Sequence, residues 1–177
     1  MDHDLLVAFV EAALLTSRGT VTETAIAEIS GVEEVATAFE ELGTRWQGEA
    51  TGIRLEKVAD GWRCVTRPDL DDLLRGFHGL ASRQKLSQAA LEVLSIVAHR
   101  QPVTMPEINF IRGANSSSVI RTLLDRGLVR IAGRKKVVGK PFLYRTTKEF
   151  LLHFGLESLA ELPDPESLIK DPAGDVD

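Results

Sequence analysis

The strongest constraint on this chain is that it repeats itself once. At an offset of 82 residues, Arg18, Val21, Thr22, Ile26, Ile29 and Gly31 fall on Arg100, Val103, Thr104, Ile108, Ile111 and Gly113, and Leu42 falls on Leu124. A unit that long, present twice, is a duplicated domain, because stacked-repeat architectures need at least three shorter copies. The 177 residues are enough for two small hydrophobic cores.

Each copy reads in the same order. A first helix runs Leu5 to Ser17, with Leu6, Phe9, Val10, Ala13 and Leu14 at helical spacing. Its counterpart runs Ser87 to His99, with Ala90, Leu91 and Leu94 on the apolar face and Ser87 as N-cap. A short extended piece follows, and Thr22 or Thr104 then caps a second helix. Pro106 in the first turn and Glu107 three residues past Thr104 complete a capping box. Gly31 and Gly113 end this helix in the left-handed conformation. A third helix starts near Val32, or at Asn115 and Ser116. After it come two strands: GIRLEKVADGWRCVTRP, with its turn at Asp60-Gly61, and LVRIAGRKKVVGKPFLYRTT, with a longer basic loop. Three helices and a β-hairpin make a winged helix-turn-helix. The expected fold is therefore α+β, mostly α, with two winged-helix domains in tandem. The first spans 1–67, a linker helix 68–85, the second 86–163, and a disordered acidic tail 164–177.

The net charge of −5 hides three blocks. Residues 1–82 hold 7 basic side chains against 15 acidic, residues 83–160 hold 13 against 5, and the rest 1 against 6. Such asymmetry points to macromolecular partners without saying which. No run of 18 apolar residues occurs, and MDHDLLVAFVEAALL opens with acids where a secretory signal has bases. The expectation is a cytoplasmic, nucleoid-associated protein that touches no membrane. Cys64 has no partner within the chain and reads as a small core residue in a strand.

The sequence offers little chemistry. His3, His78, His99 and His153 are scattered, and none has a cysteine or second histidine at ligand spacing. Ser116, Ser117 and Ser118 open a helix, where capping explains them. GRKKVVGK lacks the phosphate-loop spacing, and Pro141 follows Lys140 where a helix would have to begin. No enzyme, cofactor, metal or small-molecule ligand is expected. Arg121 and Arg126 on the third helix of the second copy, and Arg134, Lys135, Lys136 and Lys140 on its wing, would suit DNA phosphates. They would equally suit an acidic protein segment, or simply face water. In the first copy Glu33, Glu34, Glu40 and Glu41 on the third helix would repel DNA.

The second half also resembles a known family. RQPVT, EINFIRG, NSSSVIRTLLDRGLV, GKPFLYRTTKEFL and FGLESLAELP run without a gap through Leu86 to Pro163 and are similar to segregation and condensation protein B. LLVAFVEAALL and DGWRCVTRPDL resemble the family's opening domain more loosely. His99, Ala114 and Lys140 stand where the family often has Tyr, Val and Arg. The resemblance implies a non-catalytic subunit of the bacterial SMC condensin-like complex, acting in chromosome condensation and segregation during cell division. It implies a homodimer formed through the first domain. The implied partner is the kleisin, segregation and condensation protein A, which links the subunit indirectly to the SMC ATPase. DNA contact is then secondary, and a tandem winged-helix transcription regulator is the alternative.

Two surfaces follow. The first helix is apolar on more than one side, so Leu6, Phe9, Val10 and Ala13 are the expected dimer contacts. The basic block makes Arg121, Arg134, Lys135, Lys136, Lys140 and Tyr144 the expected kleisin contacts, with Tyr144 as the buried aromatic anchor.

Overall fold

The computed structural model describes residues 1–48, 50–79 and 85–164. The tail expected over 164–177 lies, past its first residue, outside them, as does part of the linker at 68–85. The protein is a mixed α and β structure, mostly helical, built as two successive units with separate cores.

The first unit opens with α1 (His3–Thr16), capped by the Asp2 carboxylate, which accepts from the Leu5 N–H at 2.8 Å. Leu6, Val7, Val10 and Leu14 form its buried stripe. Then α2 (Glu23–Ser30) starts at Thr22, whose hydroxyl accepts from Ala25 N–H, and stops at Gly31 with φ 71°. The third helix, α3 (Ala36–Arg45), begins four residues later than the sequence pattern places it, because Val35 is drawn into the core ahead of it. Phe39 and Leu42 on α3 are fully buried, and Phe39 stacks on Trp62 with ring centres 5.5 Å apart. Removing a side chain of this size from water contributes about 2–3 kcal/mol.

Strands β1 (Ile53–Val58) and β2 (Gly61–Thr66) pair antiparallel, with Ile53 opposite Thr66 and Val58 opposite Gly61. The connection is Ala59-Asp60, not Asp60-Gly61, and Ala59 takes the left-handed position at φ 56°. Gly61 instead lies where Val21 bridges to Trp62, and a Cβ there would stand 2.7 Å from the Val21 carbonyl oxygen. A 3₁₀ turn at Pro68–Leu70 and α4 (Asp71–His78) form the described part of the linker.

The second unit repeats the plan. Helix α5 (Gln88–Arg100) is capped by Ser87, and β3 (Val103–Thr104) follows. Helices α6 (Met105–Arg112) and α7 (Ser117–Asp125) are separated by Gly113 at φ 72°. At the start of α7 the side-chain Oδ1 of Asn115 accepts from Ser117 N–H at 2.9 Å, and the N-cap Ser116 is buried. Strands β4 (Val129–Arg134) and β5 (Phe142–Thr146) join β3 in a three-stranded sheet of order β3-β5-β4. Helix α8 (Lys148–Phe154) and a 3₁₀ turn at Leu159–Glu161 close the described chain.

Among the described residues the units meet through polar contacts at the β1–β2 turn. Ala59 N–H donates to the Leu156 carbonyl at 2.7 Å, Lys148 pairs with Asp60 at 2.5 Å and donates to the Thr20 hydroxyl at 2.9 Å, and Lys57 pairs with Glu157 at 3.3 Å. Both ion pairs are exposed.

Candidate protein-binding surfaces

The basic hairpin stands out from the second unit. Every residue from Arg130 to Lys140 is exposed. A register shift between Ile131 and Gly133 bends β4 just before the loop. Arg134 lies over Phe142, its guanidinium carbon 3.9 Å from the ring centre, and donates to the Lys140 carbonyl at 3.1 Å. Lys135 turns back to α6 and donates to the Glu107 carboxylate at 2.6 Å. That carboxylate also accepts from the Thr104 hydroxyl and N–H, at 2.7 and 2.8 Å. The Lys135 bond first, then the two from Thr104, hold the Glu107 pKa down at about 2. Lys136 and Lys140 make no ion pair among the described residues. Arg121 points to water from α7, and no bond among the described residues ties it to the hairpin.

Tyr144 is not where the sequence reasoning put it. It is 6% exposed, within the core of the second unit, opposite Val103 on one side and Ile131 on the other. Phe142 and Tyr144 do share one face of β5, as alternation requires. At Tyr144 that face turns inward, because β5 is the middle strand and α5 packs over it, while Phe142 at the strand's start stays 39% exposed. Leaving Tyr144 outside would have surrendered the largest apolar area on the strand. Burial pushes its hydroxyl pKa up. Tyr144 is therefore buried in its own unit and not in an interface with a partner.

The dimer residues need the same correction in part. Leu6 and Val10 are 2% and 0% exposed and belong to the core of their own unit. A helix of this amphipathicity spends one stripe on its own domain, and those two are in it. Phe9 and Ala13 are half-buried on the rim of a groove of about 440 Å³ between α1 and α2. Leu5 and Ile29 continue the apolar surface, 55% and 74% exposed. Leu5, Phe9, Ala12 and Thr16 lie at helical spacing along one strip beside the core stripe.

An equivalent groove of about 580 Å³ lies in the second unit, lined by Arg100, Pro102, Pro106, Phe110 and Ile111. Val103 and Ile111 in it are the counterparts of Val21 and Ile29 in the first. Phe110 is 87% exposed. The sequence reasoning missed this surface. The signal was there in EINFIRG: once Ile108 faces the core, Phe110 cannot.

The residues weighed for chemistry serve structure. His3 pairs with Glu41 at 2.9 Å, and His99 bridges the carbonyls of Ser95 and Pro163. Cys64 is half-buried, and burial raises its thiol pKa. Among the described residues no group of three or more His, Cys, Asp or Glu could hold a metal ion, and no helix is long and apolar enough to cross a membrane.

A family model described as "Segregation and condensation complex subunit ScpB" matches residues 8–165. Segregation and condensation protein B of Syntrophotalea carbinolica is 41% identical over 165 residues, covering 92% of this chain and 83% of its own. The protein of that name from Brevibacillus brevis is 39% identical, covering 93% and 87%. The crystal structure of ScpB from Mycobacterium tuberculosis is 35% identical, covers 88% of this chain and 98% of its own, and superposes with a TM-score of 0.42.

Proposed function

Because this chain belongs to the ScpB family of segregation and condensation complex subunits, we propose that it is a non-catalytic, homodimeric adaptor of the bacterial SMC complex. It binds the kleisin, segregation and condensation protein A, and through it reaches the SMC ATPase at the nucleoid. The two units are winged-helix domains: 1–67 forms the dimer, and 86–163 binds the partner. The observation that carries this reading is the hairpin. It offers uncommitted cations at Lys136 and Lys140, beside Arg134 and within a segment of 13 bases against 5 acids. An acidic, partly apolar kleisin segment complements it, with Arg121 at the periphery and Lys135 contributing field more than contact. Phe9 and Ala13, extended by Leu5 and Ile29, supply the dimer contacts; the family's names denote a subunit and no reaction.

The deciding experiment is co-purification of the full chain with the kleisin encoded by the same genome. A stable complex with two copies of this chain is the expected result. Failure to bind the kleisin, together with tight binding to one defined duplex and a steep salt dependence, would establish the transcription-regulator alternative instead.

A further inference from the structure

The two units close the same hairpin differently. In the first, Ala59 and Asp60 alone join the strands. In the second the connection runs from Lys135 to Pro141, and Lys135 to Lys140 are all exposed. A two-residue turn is enough to build a hairpin, so folding does not account for the added length.

The longer loop is nonetheless held in one shape. Lys135 N–H donates to the Pro141 carbonyl, Val137 N–H to the Lys135 carbonyl and Lys140 N–H to the Val137 carbonyl, each at 2.9 Å. Arg134 over Phe142 and Lys135 on Glu107 brace its base. Lys140 sits at φ 39°, a left-handed position that a residue with a Cβ adopts only under strain. At the apex Val138 is fully exposed, at 103%, and Val137 is 48% exposed. Lys136 and Lys140, which make no ion pair among the described residues, flank the two valines.

An apolar side chain held out in water adds nothing to the stability of its own fold. Burial against a partner removes it from water, and a loop already fixed loses little freedom on binding. The flanking lysines set the chemistry of that partner as carboxylates around an apolar notch. Phosphates would satisfy the lysines but leave both valines wet.

We propose that Val138, with Val137 beside it, is the apolar anchor by which the hairpin holds an acidic protein segment, seated in a notch whose carboxylates meet Lys136 and Lys140. This inference rests on the kleisin reading above. It supplies the apolar contact that Tyr144, buried in its own core, does not. The lysines then govern how fast the partner arrives, and Val138 how slowly it leaves.

Stopped-flow dissociation of the full chain from the kleisin tests it. Val138→Ser speeds release roughly tenfold or more and leaves association unchanged, while Val138→Ile keeps slow release. Melting curves of both variants match the wild type, because a side chain this exposed has no packing to lose. Wild-type release from Val138→Ser overturns the proposal and leaves the kleisin reading standing. A wild-type chain that binds no kleisin overturns that reading and this anchor with it. Unchanged kleisin release with lost duplex binding in Val138→Ser makes the tip a nucleic-acid wedge and also overturns the proposal.

Discussion

Lys135 and Glu107, 28 residues apart in sequence, are joined at 2.6 Å, so the tip of the basic hairpin is fastened to the first turn of α6. The bond divides the hairpin's cations into one spent internally and others left for a partner. It also makes the start of α6 sensitive to acid.

Glu107→Ala is expected to lower stability at neutral pH by about 1 kcal/mol, mostly through the lost helix cap. The ion pair adds only a few tenths, since both side chains are more than 40% exposed. The folded pKa of about 2 lies below the ordinary 4.5. The contribution is therefore complete above pH 4.5 and disappears as the pH falls towards 2. Urea unfolding across pH 2–7 should show the wild-type advantage shrinking over that window; an advantage constant to pH 2 would contradict the assignment.

Tyr144→Ala should cost about 3–5 kcal/mol, the range for emptying an aromatic site in a core. Tyr144→Phe should change stability by less than about 0.5 kcal/mol, because no described residue bonds the hydroxyl. Thermal melts of both variants check this. If Tyr144→Ala melts like the wild type, the ring is not a core element.

Lys136→Glu with Lys140→Glu should slow kleisin association by roughly tenfold at low salt and flatten its salt dependence, with little change in the dissociation rate. Lys135→Glu confounds the test, because it also breaks the bond to Glu107. Stopped-flow binding at several salt concentrations separates the two effects. Unchanged kleisin kinetics with lost duplex binding would make the hairpin a nucleic-acid surface.

Ile29→Glu should weaken the homodimer by roughly ten- to a hundredfold, about 1–3 kcal/mol. At 74% exposed, Ile29 has little to lose within its own fold. Light scattering on the full chain, with a melting curve as control, reads the result. A variant that dimerises as tightly as the wild type moves the interface away from the α1–α2 groove.

What the sequence made legible was local. Thr22, Ser87, Gly31 and Gly113 cap or stop helices through bonds within four residues, so their residue types announce them. What it hid was set by distant chain. The turn moved from Asp60-Gly61 to Ala59-Asp60 because Gly61 is reserved for the approach of Val21, forty residues upstream. The alternation on β5 was correct, yet its inward face depended on β3 and α5, which no pattern within β5 can reveal. Leu6 and Val10 were visible as apolar, but an apolar helix does not declare which stripe its own domain takes. Phe110 was the reverse case: one step of helical geometry from Ile108 would have exposed it.

The narrow junction between the units bears on how the protein comes apart. Among the described residues the two closed cores are bridged by one backbone hydrogen bond, the hydrogen bond from Lys148 to Thr20 and two solvent-facing ion pairs. Each such pair contributes well under 1 kcal/mol, far less than either core. Heat therefore meets two weakly coupled cooperative blocks. In calorimetry the heat absorbed exceeds what the steepness of a single transition implies, and a single melting temperature for the whole chain has no thermodynamic meaning.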